Sequence, residues 1–168
     1  MASVTAAARV NQCSCLTTDN ADVIWKILAV GKPGLRFAAA GIDEYVGRIL
    51  HYARIEKRFI RASTTEREAV QLLEASQNSW RTVLDERGHQ VASRQFAKLI
   101  ERWESQGIRN ISLIVGGADG HDETVRKNAD FVLSLSRMTL QHELALLVAL
   151  EQIYRAYTIL SGSPYHRD

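Results

Sequence analysis

Short apolar runs alternate with amphipathic stretches along most of the chain. Trp25-Lys26-Ile27-Leu28-Ala29-Val30 ends at Gly31 and precedes Lys32-Pro33-Gly34, which predicts a buried strand closed by a turn. From Leu35 to Tyr52, the residues Ile42, Tyr45, Val46 and Ile49 recur at helical spacing. Ile55 to Ile60 alternates apolar and charged positions and reads as a second strand. Ser63-Thr64-Thr65-Glu66 offers hydroxyls to first-turn amides, predicting a helix to about Ser76. The pattern then repeats. Trp80 to Leu84 is a strand, and Asp85-Glu86-Arg87-Gly88 a turn. Ser93 caps a helix carrying Phe96, Leu99, Ile100 and Trp103 that stops at Gly107. Ile111 to Val115 is a strongly apolar strand closed by Gly116-Gly117. A short helix fits Asp122 to Ala129, and Phe131 to Leu135 is a fifth strand. A long helix fills Gln141 to Leu160, ended by Ser161-Gly162-Ser163-Pro164.

Five strand–helix alternations predict an α/β fold, a mainly parallel five-stranded sheet with helices on both faces. Ligands of such sheets bind outside the carboxyl ends of the strands, which directs attention to the loops after Val30, Leu84, Val115 and Leu135. With 168 residues the chain suits one domain. Leu144 to Leu150 is the longest apolar run, far short of the ~18 to 20 residues of a membrane span. It makes the last helix apolar around its girth. One side faces the sheet, and the other needs a cover, most simply a second copy of the chain, otherwise the protein's own loops.

Composition adds little direction. Positive minus negative charges give 21 − 19 = +2, too small a surplus to mark a nucleic-acid binder, although a local basic patch can do that work. Cys13 and Cys15 form a lone C-x-C with no cysteine after it, so no metal site and no disulfide framework is expected, and a reducing compartment suits the chain. Met1 to Leu16 lacks acidic residues and is rich in Ala, Ser and Thr, with Arg9 the one cation. That is either an organellar transit peptide, placing the protein in a plastid or mitochondrion, or a plain tail on a cytoplasmic protein. The expected division is a tail over 1–24 and one domain over 25–168.

Three segments carry candidate chemistry. No G-x-G-x-x-G follows the first strand and no P-loop exists, so standard dinucleotide and NTPase folds are disfavoured. The glycine-rich loop comes late, as Gly116-Gly117-Ala118-Asp119-Gly120, where paired glycines allow close approach to a ligand or simply a tight turn. Ser134-Leu135-Ser136-Arg137-Met138-Thr139-Leu140-Gln141-His142 leaves a strand with hydroxyls, an Arg and a His, with Thr139 a candidate N-cap. The C-terminus packs Tyr165, His166 and Arg167 together, types that stack on bases and hold phosphates, unless it is an inert chain end.

Together these segments resemble the large-subunit rRNA pseudouridine N3-methyltransferases of the SPOUT class, the α/β-knot enzymes. The resemblance rests on Ala29-Val30-Gly31-Lys32, Leu84-Asp85-Glu86-Arg87-Gly88, Gly116-Gly117-Ala118-Asp119-Gly120, Ser134 to Leu140, Glu151-Gln152-Ile153-Tyr154-Arg155-Ala156 and Pro164-Tyr165-His166-Arg167, in order from about Lys26 to Arg167. It implies a C-terminal trefoil knot, a homodimer, and S-adenosylmethionine held in the knot. It implies methyl transfer to N3 of a pseudouridine of 23S-type rRNA in the assembled ribosome. The cofactor contacts would fall on Leu84, Gly116, Leu135, Ser136, Arg137, Met138, Thr139 and Leu140, and the catalytic roles on His142, Tyr165, His166 and Arg167. One departure is Gln141, where the family pattern usually has proline before the histidine. The competing expectations are a SPOUT methyltransferase with another RNA target, and a non-catalytic ribosome-associated RNA-binding dimer.

Overall fold

The computed structural model describes residues 23–167; the N-terminal segment with Cys13 and Cys15 lies outside them. In chain order the elements are β1 (Ile24–Val30), α1 (Arg36–Ile49), β2 (Arg54–Ile60), α2 (Thr65–Ala75), β3 (Trp80–Gln90), α3 (Ser93–Ser105), β4 (Asn110–Val115), α4 (Glu123–Lys127), β5 (Phe131–Ser134) and α5 (His142–Leu160). All strands run parallel in the order β2-β1-β4-β3-β5. β1 begins at Ile24 with Val23 already buried, slightly ahead of the expected start at 25.

Strands covered on both faces read as continuous apolar runs, and β4 shows this most plainly, with Ile111 to Val115 all buried. One face packs Trp25, Ile27, Ile111 and Leu113 with Ile42 and Ile49 of α1, Phe96, Ile100 and Trp103 of α3, and Leu146, Leu150 and Ile153 of α5. The other packs Leu28, Val30, Val83 and Ile114 with Ala69 and Leu72 of α2 and Val125 of α4. The crossovers that step one way along the sheet, β1 to β2 and β3 to β4, carry their helix on the first face. Those that step the other way, β2 to β3 and β4 to β5, use the second. A single crossover hand requires this division. Each helix therefore starts at the carboxyl end of the sheet.

α5 lies between α1 and α3 on the first face. Leu147 fills the space a Gly41 side chain would occupy, its Cδ1 standing 2.8 Å from that Cβ position, and Ser93 Oγ of α3 donates to Gln152 Oε1 at 2.7 Å. Much of the apolar girth of this helix is thus covered by the protein's own neighbours. An exposed strip remains at Val148, with Leu144 half-buried beside it.

Several expected boundaries shift. Asp85-Glu86-Arg87-Gly88 is not a turn, because β3 continues to Gln90 and pairs again with β5 through His89 and Gln90 after a register break. The polar run hid this second pairing. At Gly88 an added Cβ would stand 2.6 Å from the Val132 carbonyl oxygen, so only glycine lets the two backbones approach. The N-cap of α3 is Ala92 rather than Ser93, with Gln95 Oε1 accepting the Ala92 amide at 2.8 Å. Thr64 precedes α2 without a side-chain cap; instead the buried Glu68 accepts the Ser63 amide at 2.7 Å. The N-cap of α5 is Gln141, not Thr139.

Candidate active site

A cleft of about 260 Å3 opens at the carboxyl ends of β4 and β5, beside residues 84–87 of β3. Two loops and a stretch of β3 build it. After β4, Gly116 folds against its own loop, where an added Cβ would stand 2.8 Å from the Gly120 carbonyl oxygen. A bridge between Gly117 and Gly120 closes that turn, and Gly120 takes a left-handed backbone, φ 77°. After β5, Ser134 Oγ donates to the Ser136 carbonyl at 2.9 Å and Ser136 Oγ accepts the Met138 amide at 3.0 Å. These serines hold a segment that belongs to no helix or strand. Gln141 ends it, its Oε1 accepting the amides of Glu143 at 2.9 Å and Leu144 at 3.1 Å, two of the free donors at the start of α5.

Of the residues expected to hold the cofactor, Leu84, Gly116, Leu135, Ser136, Met138, Thr139 and Leu140 line this cleft, and so does His142. Arg137 belongs to the same loop but is exposed outside the lining. His142 Nε2 sits 3.9 Å from Glu143 Oε1 and 3.9 Å from the Cβ position of Gly31, which brings the loop after β1 beside the cleft.

Tyr165, His166 and Arg167 are not in the cleft of their own chain. The terminal segment folds back along α5. The Tyr165 ring meets Tyr154 edge-on with centroids 4.8 Å apart and lies 4.9 Å from the Arg155 guanidinium. Its hydroxyl donates to Glu151 Oε1 at 3.1 Å and lies 3.2 Å from the Tyr45 hydroxyl. Burial and the Glu151 charge keep this phenol protonated. His166 Nδ1 lies 3.3 Å from Arg155 Nη1. Glu151 stands nine residues beyond His142 on α5, about 13 Å along the helix axis, so the tail docks well away from the cleft opening.

Two groups that the sequence reading did not single out complete the cleft wall. The Asp85 carboxylate, 3% exposed, accepts Arg87 Nε at 3.0 Å and Arg126 Nη1 at 3.3 Å. Burial pushes its pKa up, but these two guanidiniums and the Arg87 amide hold it below the usual carboxylate range. His121 follows the glycine loop directly. Neither of its ring nitrogens meets a partner or solvent, and burial holds the imidazole neutral. Both were within reach of the motif reading, as the residues immediately after Leu84 and Gly120.

Parallel strands, a cleft at their carboxyl ends and a glycine loop facing a serine-bearing segment define a ligand-binding α/β enzyme fold with its site in the loops. Residues 23–166 match the family model described as Predicted SPOUT methyltransferase. The chain is 42% identical to ribosomal RNA large subunit methyltransferase H of Thermus thermophilus over 142 residues, 84% of this chain and 97% of the relative. It is also 42% identical to the protein of that name from a Synechococcus strain over 144 residues, 85% of this chain and 94% of the relative. Among solved structures, a probable methylase family protein from Haemophilus influenzae shares the fold, with a TM-score of 0.56 and 9% identity, covering 89% of this chain and 72% of that one. The chain belongs to the SPOUT methyltransferase family.

Proposed function

We propose that this protein transfers a methyl group from S-adenosylmethionine to N3 of a pseudouridine in 23S-type large-subunit rRNA, acting on the assembled ribosome as a homodimer with a trefoil-knotted C-terminal region. The observation that carries the reading is one cleft assembled from the glycine loop, the Leu135 to Leu140 segment and residues 84–87 of β3, in a chain that an rRNA methyltransferase matches over 84% of its length.

The residues present fit the donor. Leu84, Leu133, Leu135 and Leu140 provide apolar walls for a flat heterocycle, and Gly116 brings bare backbone to the cleft. Glu86 and Asp119 line the same space and complement a positively charged sulfonium. When bound, the donor supplies an electrophilic methyl group. The protein must set the base in line with it and take the N3 proton. His142, at the cleft and one-quarter exposed, is placed to accept that proton directly or through water.

The tail and the dimer belong to one reading. Tyr165, His166 and Arg167 stand away from their own cleft, so they serve the partner's, supplying a stacking face, a proton acceptor and a cation. Exposed apolar residues at Phe37 in the first turn of α1, Leu140 just before α5 and Val148 in its second turn supply the contact surface. The transit-like N-terminus supports an organellar site of action.

The deciding experiment incubates the protein with labelled S-adenosylmethionine and ribosomes with and without the pseudouridine. Label confined to N3 of pseudouridine is expected. Label on another nucleotide gives a different RNA target, and binding without transfer gives a non-catalytic RNA-binding protein.

A further inference from the structure

The loops after β1 and β2 stand beside the cleft, and neither contributes to its lining. Between residues 31 and 36 the chain carries Lys32 and Arg36 and no acid. Between 58 and 65 it carries Arg58 and Arg61 and again no acid. All four side chains are exposed, and among the described residues none of them has a hydrogen-bonding or ion-pair partner. Six cations elsewhere are held by carboxylates: Arg48 on Glu44, Lys57 on Asp43, Arg87 and Arg126 on Asp85, Lys127 on Glu123 and Arg155 on Glu151. Of the acids near this rim, Glu66 is exposed in the first turn of α2, while two others are engaged. Glu68 is buried on the Ser63 amide, and Glu143 accepts the Leu35 amide.

The backbone brings the two loops that carry these cations together. The Gly31 amide donates to the Ile60 carbonyl at 2.8 Å, so the two loops leave the sheet as neighbours, and Leu28 pairs with Arg58 in register. Adjacent strands lie only ~4.8 Å apart. The Glu143 bond ties the first loop to the start of α5, where His142 faces the cleft. The result is a run of three guanidiniums and one ammonium along the carboxyl edge of β1 and β2, next to the strand whose loop shapes the cleft.

We propose that Lys32, Arg36, Arg58 and Arg61 form the docking rim for the phosphate backbone of the RNA whose base enters the cleft. The inference rests on the proposed RNA methyl transfer and names the surface that positions its substrate. Unpaired guanidiniums match phosphate in charge and in the geometry of their paired donors. Such contacts position a nucleic acid without reading its sequence, leaving base choice to the cleft. An acidic protein segment is the other polyanion such a rim could take. RNA is favoured because the rim adjoins the cleft rather than a separate face.

The test uses the full chain with Arg58→Gln and Arg61→Gln together, and a second variant with Lys32→Glu and Arg61→Glu. Binding of a fluorescent 23S-type stem-loop RNA is followed by anisotropy from low to high salt, and methyl transfer to ribosomes is followed in parallel. The proposal expects the RNA dissociation constant and the KM for ribosomes to rise about tenfold or more, with kcat and S-adenosylmethionine affinity unchanged. The log–log salt slope should fall by roughly 0.7 to 0.9 for each cation removed. Wild-type RNA affinity, KM and salt slope in both variants overturn it. So does loss of binding to an acidic ribosomal protein with RNA affinity intact. If the wild-type protein methylates no ribosome yet the variants still lose RNA affinity, the reading of the reaction fails and the rim stands.

Discussion

The carboxylate of Glu143 accepts the backbone amide of Leu35 at 2.9 Å, across 108 residues of chain. It is 7% exposed, and Gln141 Nε2 reaches its other oxygen at 3.4 Å. One side chain thus binds the loop after β1 to the first turn of α5. Glu143→Ala should leave a half-buried amide unpaired and cost about 1–3 kcal/mol in urea denaturation. Glu143→Gln keeps an acceptor oxygen and should recover most of that. Burial raises the pKa of Glu143, but the amides of Leu35 and Gly34 outweigh it and hold the group below the glutamate range. The unfolded state therefore takes up the proton first. The bond's contribution is complete above ~pH 5 and is lost as pH falls through the depressed value. The wild-type and Gln variant should converge in stability at low pH, and parallel curves down to acid would refute this.

What the sequence reveals of this fold is what apolar periodicity encodes. β4 and α3 announce themselves because each buries a continuous run or a helical stripe. The far half of β3 does not, since Asp85 to Gln90 is polar and its pairing with β5 depends on Gly88 fitting against the Val132 carbonyl. Strand order follows from which helix covers which face, a property no local window contains. The cleft was legible from the strand-end rule, as Leu84, Gly116 and Leu135 show. The clasp of Asp85 by Arg126 was not, because 41 residues separate the partners. Nor could the docking of Tyr165 on Tyr154 be read, because it depends on the chain reversing after α5.

The Asp85 clasp joins β3 to α4 beneath the cleft. Asp85→Asn should reduce stability by about 1–3 kcal/mol, because the Arg126 guanidinium loses its counter-charge in a mostly buried setting. Arg126 keeps the His121 carbonyl as an acceptor at 2.9 Å, which limits the loss. Arg87→Ala should matter much less, since its side chain is 61% exposed. Urea denaturation at pH 7 checks the order, and an Arg87→Ala loss equal to that of Asp85→Asn would contradict it.

Gln141, where the resemblance leads one to expect proline, does not leave the helix start bare. Its φ of −59° already suits proline, and its side chain supplies the cap. Gln141→Ala removes the cap and should cost about 0.5–2 kcal/mol. Gln141→Pro loses the same cap but stiffens the unfolded chain, a gain of about 0.4–1 kcal/mol, so its net effect should be smaller. Thermal melts of the two variants at one pH separate these outcomes.

The two glycines after β4 should differ sharply. An alanine Cβ at Gly116 meets the Gly120 carbonyl at 2.8 Å, a backbone atom that moves only with the loop. At Gly117 the nearest atom is Val30 Cγ1 at 3.1 Å, the end of a side chain. Gly116→Ala should therefore weaken S-adenosylmethionine binding about tenfold or more, and Gly117→Ala far less, as measured by calorimetry on folded protein. Equal affinities would mean that the turn does not shape the donor site.

The C-terminal tail gives the sharpest test of how the site is shared. Tyr165 docks on Tyr154 and Glu151 of its own α5, some 13 Å along the helix from His142, so the tail is anchored by its own chain and presents His166 and Arg167 away from its own cleft. Anchoring fixes where the tail leaves α5, with His166 Nδ1 3.3 Å from Arg155 Nη1. Deleting residues 165–168 should leave the fold and the affinity for S-adenosylmethionine nearly intact. Methyl transfer to ribosomes should fall about 100-fold or more, the range expected when a proton-handling group is lost. A mixture then decides between sharing and self-sufficiency. Combine the deleted chain with a His142→Ala chain at equal amounts, unfold and refold them together. If the tail serves the partner's cleft, each mixed dimer holds one intact His142 cleft met by one intact tail. Half the dimers are mixed and half of their sites are whole, so about a quarter of the wild-type rate should return. If the tail serves its own cleft, no mixed dimer has a complete site and the rate stays at the level of the single variants.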